Sequence, residues 1–127
     1  MDKTAFLSLD LEKGYRILKI LDDAGMRVNV ALWAVLADYE DWRLILSARE
    51  FDIADLTKAY GLLHEALDGA GFTVEETPPV VILRSSDPFI KALGKIFGKA
   101  KGVEGMRIYG QRLGNHFVED GYTSRIS

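Results

Sequence analysis

The sequence predicts an α+β domain, a two-layer fold with a mainly antiparallel sheet of four or five strands and about three helices. Three observations carry this. Apolar residues recur at helical spacing near 9–24 and again near 53–70; the segment RVNVALWAVLADYEDWRLILSA holds two apolar runs around a polar centre; and strand-like pieces punctuated by glycine close the chain. At 127 residues, 48% hydrophobic and 28% charged, the chain has the size of one globular domain and can bury a core without staples.

The first helix is expected over 9–24, with Leu11, Tyr15, Ile17, Leu18, Leu21 and Ala24 on one side and Glu12, Arg16, Lys19 and Asp23 on another. Gly25 is placed to end it. Strands near 27–37 and 42–48 then form a hairpin around Asp38, Tyr39, Glu40 and Asp41. Pairing Ala37 with Trp42 puts Ala31, Trp33, Val35, Leu44 and Leu46 on one face and Val28, Val30, Leu32, Ala34, Leu36 and Ile45 on the other. Both faces are apolar, so each needs a cover: helices on both sides, or a second copy of the chain across one of them.

A second helix is expected from Ile53 to about Ala70, with Asp52 as N-cap and Leu56, Tyr60, Leu63 and Leu67 as its buried stripe. After the turn-rich 75–79 connector, VVILR reads as a short strand, β-branched enough to be central. Asp87 and Pro88 open a third helix, with Phe89, Leu93, Ile96 and Phe97 buried, and its glycines predict fraying near Gly98. MRIYG is a further strand, and HFVEDGYTSRIS is a final strand or hairpin.

Charge is segregated along the chain, which is net -3 overall. Residues 1–82 hold eight Lys/Arg against fifteen Asp/Glu, whereas 83–127 hold eight against four. The 84–112 segment concentrates the cations Arg84, Lys91, Lys95, Lys99, Lys101, Arg107 and Arg112, and Lys91, Lys95 and Lys99 form one stripe on a helix beside a second stripe of Gly94, Gly98 and Gly102. This is the candidate surface for an anionic partner, the bland alternative being a solvated helix face. An acidic chain argues against a dedicated nucleic-acid binder, although a local basic patch survives that objection.

Catalytic signatures are missing. GKIFGKA falls short of a phosphate loop in its glycine spacing and in the Ala100 after Lys99, and Ser85 and Ser86 lack the Gly-x-Ser-x-Gly setting of a hydrolase nucleophile. No cysteine is present, and two histidines make a transition-metal site a poor expectation. Asp38, Glu40, Asp41, Glu50 and Asp52 lack the calcium-loop spacing, and Trp33 and Trp42 read as core. An acid/base pair, if one assembles, must come from His64, Asp68, His116, Glu119 and Asp120.

The pieces VALWAVLADYEDWRLILSA and FVEDGYTSRIS, through Leu32-Trp33, Trp42-Arg43-Leu44 and Glu119-Asp120-Gly121-Tyr122, resemble small bacterial proteins of unknown function. That resemblance implies a bacterial, cytoplasmic α+β domain and brings no activity. With no cysteine and no apolar run long enough to span a bilayer, the expectation is a cytoplasmic, noncatalytic binding or protein-interaction module, without cofactor or metal, with a homodimer as one of the two ways to cover the hairpin. A small enzyme and a weak nucleic-acid binder are the alternatives.

Overall fold

The computed structural model describes residues 8–39, 41–53, 55–73, 77–97 and 105–126. Five strands form one sheet in the order β3-β2-β1-β5-β4: β1 (Val28–Leu36), β2 (Arg43–Ala48), β3 (Val80–Ile82), β4 (Arg107–Leu113) and β5 (His116–Ile126). Three of the pairings are antiparallel, and β2 with β3 is parallel. The helices are α1 (Ser8–Asp23), the single turn α2 (Arg49–Asp52), α3 (Leu56–Gly69) and α4 (Pro88–Phe97). The fold is α+β with a mixed, mainly antiparallel sheet.

Both long helices of the N-terminal half stop for the same reason. Gly25 takes φ +83 and Gly71 φ +79, which a side chain would resist. The next amide then reaches back five residues, Met26 N to Leu21 O and Phe72 N to Leu67 O, and the glycine amide bonds the inner carbonyl, Asp22 O or Asp68 O. This is the Schellman pattern, with its apolar contact between Leu67 and the buried Phe72.

The hairpin differs from expectation in register. Trp33 pairs with Leu44 and Ala31 with Leu46, two residues away from the alignment that would pair Ala37 with Trp42. A slip of two preserves which side chains share a face, so the two apolar faces survive. Val28 is the exception: a bulge between Val28 and Val30 turns it over to join Ala31, Trp33, Leu44 and Leu46.

Helices cover both faces within one chain. Ile17, Leu18 and Leu21 of α1 and Ala59, Leu63 and Leu67 of α3 pack on Ala31, Trp33, Leu44 and Leu46. Phe89, Ile90 and Leu93 of α4 pack on the opposite face with Val30, Leu32, Ala34, Leu36, Ile45, Val118 and Ile126. Each buried Leu, Ile, Val or Phe among these contributes roughly 1.5–3 kcal/mol relative to exposure. The apolar hairpin is therefore satisfied without a second copy.

Three expectations need correction. VVILR is an edge strand, and the centre belongs to β1, where eight of nine residues are buried. The second helix starts at Leu56 with Asp55 as N-cap, its side chain accepting from Lys58 N, because Asp52 is committed elsewhere. Leu56 and Ile96 are about half exposed, and Ile90 takes the buried place beside Phe89 and Leu93.

Candidate functional site

The 84–112 segment comprises the loop before α4, α4 itself, an undescribed stretch at 98–104, and the edge strand β4. Asp87 caps α4 by accepting from Phe89 N at 2.9 Å, so Phe89, Ile90 and Leu93 turn into the core while Lys91 and Lys95 stay in solvent. Gly94 has open space where a side chain would stand. Lys99, Lys101, Gly98 and Gly102 lie outside the described residues, as does the predicted fraying.

Two of the seven candidate cations are held by the protein itself. Arg84 donates from a guanidinium nitrogen to the Asp52 carbonyl at 2.6 Å, while the Asp52 carboxylate takes the amide and hydroxyl of Ser85. Asp52 thus anchors the loop that leads into α4, which explains why it does not cap α3. Arg107 donates to Asp120 Oδ1 at 2.7 Å and to Gly121 O at 3.1 Å, and lies over the rings of Tyr109 and Tyr122. The hydrogen bond to Asp120 raises the Arg107 pKa further above its ordinary value. Arg112 is exposed on the same strand.

On β4 only Ile108 and Leu113 are buried, although they are five apart and should alternate; Gly110, at φ +50 between them, breaks the alternation. Arg107, Tyr109, Gln111 and Arg112 face solvent, with Tyr109 64% exposed and Met106 beside it partly so. Among the described residues no strand pairs with the outer edge of β4. Exposed cations and exposed apolar groups thus occur on both α4 and β4, two elements in contact, with Arg107 and Tyr109 on the side of the sheet that Tyr122 faces and Ile108 and Leu113 on the side of α4.

The acid/base pool does not converge. His64 and Asp68 lie exposed on α3 and line a concavity of about 460 Å³ with Glu65, Leu67, Phe72 and Thr77. His116 begins β5 and bonds Asp38 Oδ2 through Nδ1 at 2.8 Å, with its ring edge-on to Phe89. Glu119 sits at a register shift of β5 and is exposed, and Asp120 is paired with Arg107. The pool therefore occupies separate parts of the molecule.

The acidic residues near the hairpin also have local partners. Asp38 binds His116, Asp41 accepts from Trp42 N, Glu50 accepts from Arg27 N at 2.7 Å, and Asp52 holds Ser85. Among the described residues no group of three His, Cys, Asp or Glu could hold a metal ion. Trp33 is 2% exposed and belongs to the core, with Trp42 and Tyr122 packed against it in part.

Sequence reading missed a second surface. Ile53 is 87% exposed, and with Leu62, Gly61, Glu50, Lys58 and Glu65 it lines a concavity of about 550 Å³ at the start of α3. The signal for it was a helix start displaced by three residues, which leaves Ile53 in the connection instead of in the first turn of the helix. The sheet separates this net-acidic α3 side from α4. No helix among the described residues is long and apolar enough to cross a membrane. No family model, characterised protein or solved structure matches the chain, so a functional reading must rest on its own geometry.

Proposed function

We propose that this chain is a noncatalytic protein-interaction module whose contact surface is the 84–112 segment, and that its partner is anionic there. The observation that carries the reading is the joint exposure of Lys91, Lys95 and Arg112 with Ile96, Met106 and Tyr109 on α4 and β4. Interfaces combine apolar and aromatic anchors with a charged rim that sets orientation and on-rate, and this segment offers both. Its absence of cysteine suits a reducing, cytoplasmic setting.

Nucleic acid is a weaker candidate for the same surface, because Asp120 already neutralises Arg107 and the chain as a whole is acidic. The enzyme alternative has no assembled acid/base pair from its pool to support it. The test is affinity capture from lysate of the source cell by the wild-type chain and by a variant carrying Lys91→Glu, Lys95→Glu and Lys99→Glu, with folding checked by circular dichroism. Loss of a stoichiometric protein partner supports the surface. Unchanged capture by a folded variant rejects it, and capture dominated by nucleic acid that vanishes with modest salt replaces it with the nucleic-acid reading.

A further inference from the structure

We infer that the concavity at the start of α3 is where a second copy of this chain docks, the two α3 helices lying antiparallel about a two-fold axis that passes between Gly61 and Leu62. Ile53 is almost fully exposed, and Leu56 and Leu62 are each at least one-third exposed. Ala59, Leu63 and Leu67 turn to the sheet, so Lys58, Gly61, Leu62 and Glu65, spaced by three and four residues, share the opposite side of the helix. With Ile53 and Glu50 this outward stripe lines the concavity of about 550 Å³. Gly61 has open space where a side chain would stand, which lets another backbone approach closely.

The charges select the occupant. Lys58 and Glu65 lie about two turns apart, too far to pair with each other, and neither side chain is in an ion pair among the described residues. In a parallel pair of α3 helices each would meet its own like. In the antiparallel pair, Lys58 of each copy stands level with Glu65 of the other, so both ion pairs form together, as a two-fold interface requires. Leu62 then meets Leu62 of the second copy on one side of the axis, and the two Gly61 residues meet on the other. Asp55 and Asp68 are level but fall on opposite flanks, and the Glu50 carboxylate is held by Arg27 N of its own chain, so no carboxylates are directly opposed. A partner of uniform charge would oppose either Lys58 or Glu65, whereas a copy of the same stripe, reversed, matches both. One helix against one helix is a small interface, so the dimer is a weak one. Because α3 and α4 cover opposite faces of the sheet, pairing through α3 leaves α4 free in each copy, and the inference stands apart from the reading of 84–112.

Analytical ultracentrifugation of the purified chain from about 10 µM to about 1 mM, the range of weak association, provides the test. The average mass is expected to rise toward that of two chains and no further. Lys58→Glu or Glu65→Lys alone opposes like charges twice and should raise the dissociation constant about tenfold, whereas the double exchange should return it to within about threefold of wild type. Leu62→Asp should leave a monomer; every substituted position is exposed, and circular dichroism confirms folding. A chain that stays monomeric throughout the range overturns the inference. So does a dimer indifferent to Leu62→Asp, or a double exchange that fails to restore association. Mass that grows past two chains, or association lost with Lys91→Glu and Lys95→Glu in place of Leu62→Asp, overturns it as well and puts the contact elsewhere. Loss of a foreign partner from the lysine variants with the dimer intact bears out 84–112 and the α3 dimer together.

Discussion

At the scale of single residues, close packing overrides intrinsic preference. Gly14 lies in the interior of α1, where alanine would ordinarily favour the helix by about 1 kcal/mol. A Cβ at that position would stand 2.5 Å from Nε1 of the buried Trp33, so the helix must lift or the indole must turn. Gly14→Ala is expected to destabilise the fold by about 1–3 kcal/mol, read from urea unfolding, despite its better helix propensity. Arg125 and Asp22 form a two-pronged pair, both contacts at 2.8 Å, that ties β5 to the end of α1. The hydrogen bond from Arg125 lowers the Asp22 pKa below 3.8, so the pair's stabilisation is present above that value and lost as pH falls through the folded pKa. Both side chains are about one-third exposed, which limits the effect of Asp22→Asn to about 0.5–1 kcal/mol at neutral pH. Unfolding midpoints of the two proteins should converge as the pH drops from about 4 toward 2; a gap of constant size would show that the charge plays no part.

At the scale of elements, the two hairpin turns and the start of α4 form one packed corner. Gly114 takes φ +58, and a Cβ there would fall 2.4 Å from the Pro88 carbonyl group. His116, two residues on, reaches Asp38 in the other turn. Gly114→Ala is expected to cost more than Gly14→Ala, since it adds backbone strain to a clash with main chain that cannot rotate away. Amide exchange should show faster opening of both β4–β5 and the first turn of α4. Much at this scale was legible: the helix near 9–24, the doubly apolar hairpin and Asp87 as the cap of α4 follow from periodicity and cap chemistry. What failed had nonlocal causes. Asp52 and Asp55 are equivalent N-caps as far as local sequence goes, and the contact of Asp52 with Ser85, thirty-three residues away, decides between them. VVILR has the β-branched content of a central strand, but centrality is burial on both faces, and the full run of β1 was the better sign of it. The inversion of Val28 comes from a bulge that alternation cannot reveal.

At the scale of the whole molecule, only part of the charge asymmetry becomes a separation across the sheet: Lys91 and Lys95 stand on α4 on one side and Glu65 and Asp68 on α3 on the other, while Arg107 and Arg125 are paired with Asp120 and Asp22. Of the candidate site, the exposed lysines of α4 and the exposed Arg112 could be read from sequence, because helical spacing and strand composition place them outward. The internal engagement of Arg84 and Arg107 could not, since Asp52 and Asp120 are brought to them by tertiary structure. Nor was the open edge of β4 legible, because strand order is a property of the assembled sheet. Two exposed regions therefore compete as the contact surface: the α4–β4 side and the concavity around Ile53 and Leu62 on the α3 side. Photo-crosslinking in lysate distinguishes them most directly, with a photoreactive residue placed in turn at Lys91, Tyr109, Lys58 and His64. The account predicts a discrete adduct with another protein from Lys91 and Tyr109 and, from Lys58 and His64, none beyond a second copy of the chain. An adduct with another protein formed only from the α3 positions would contradict it.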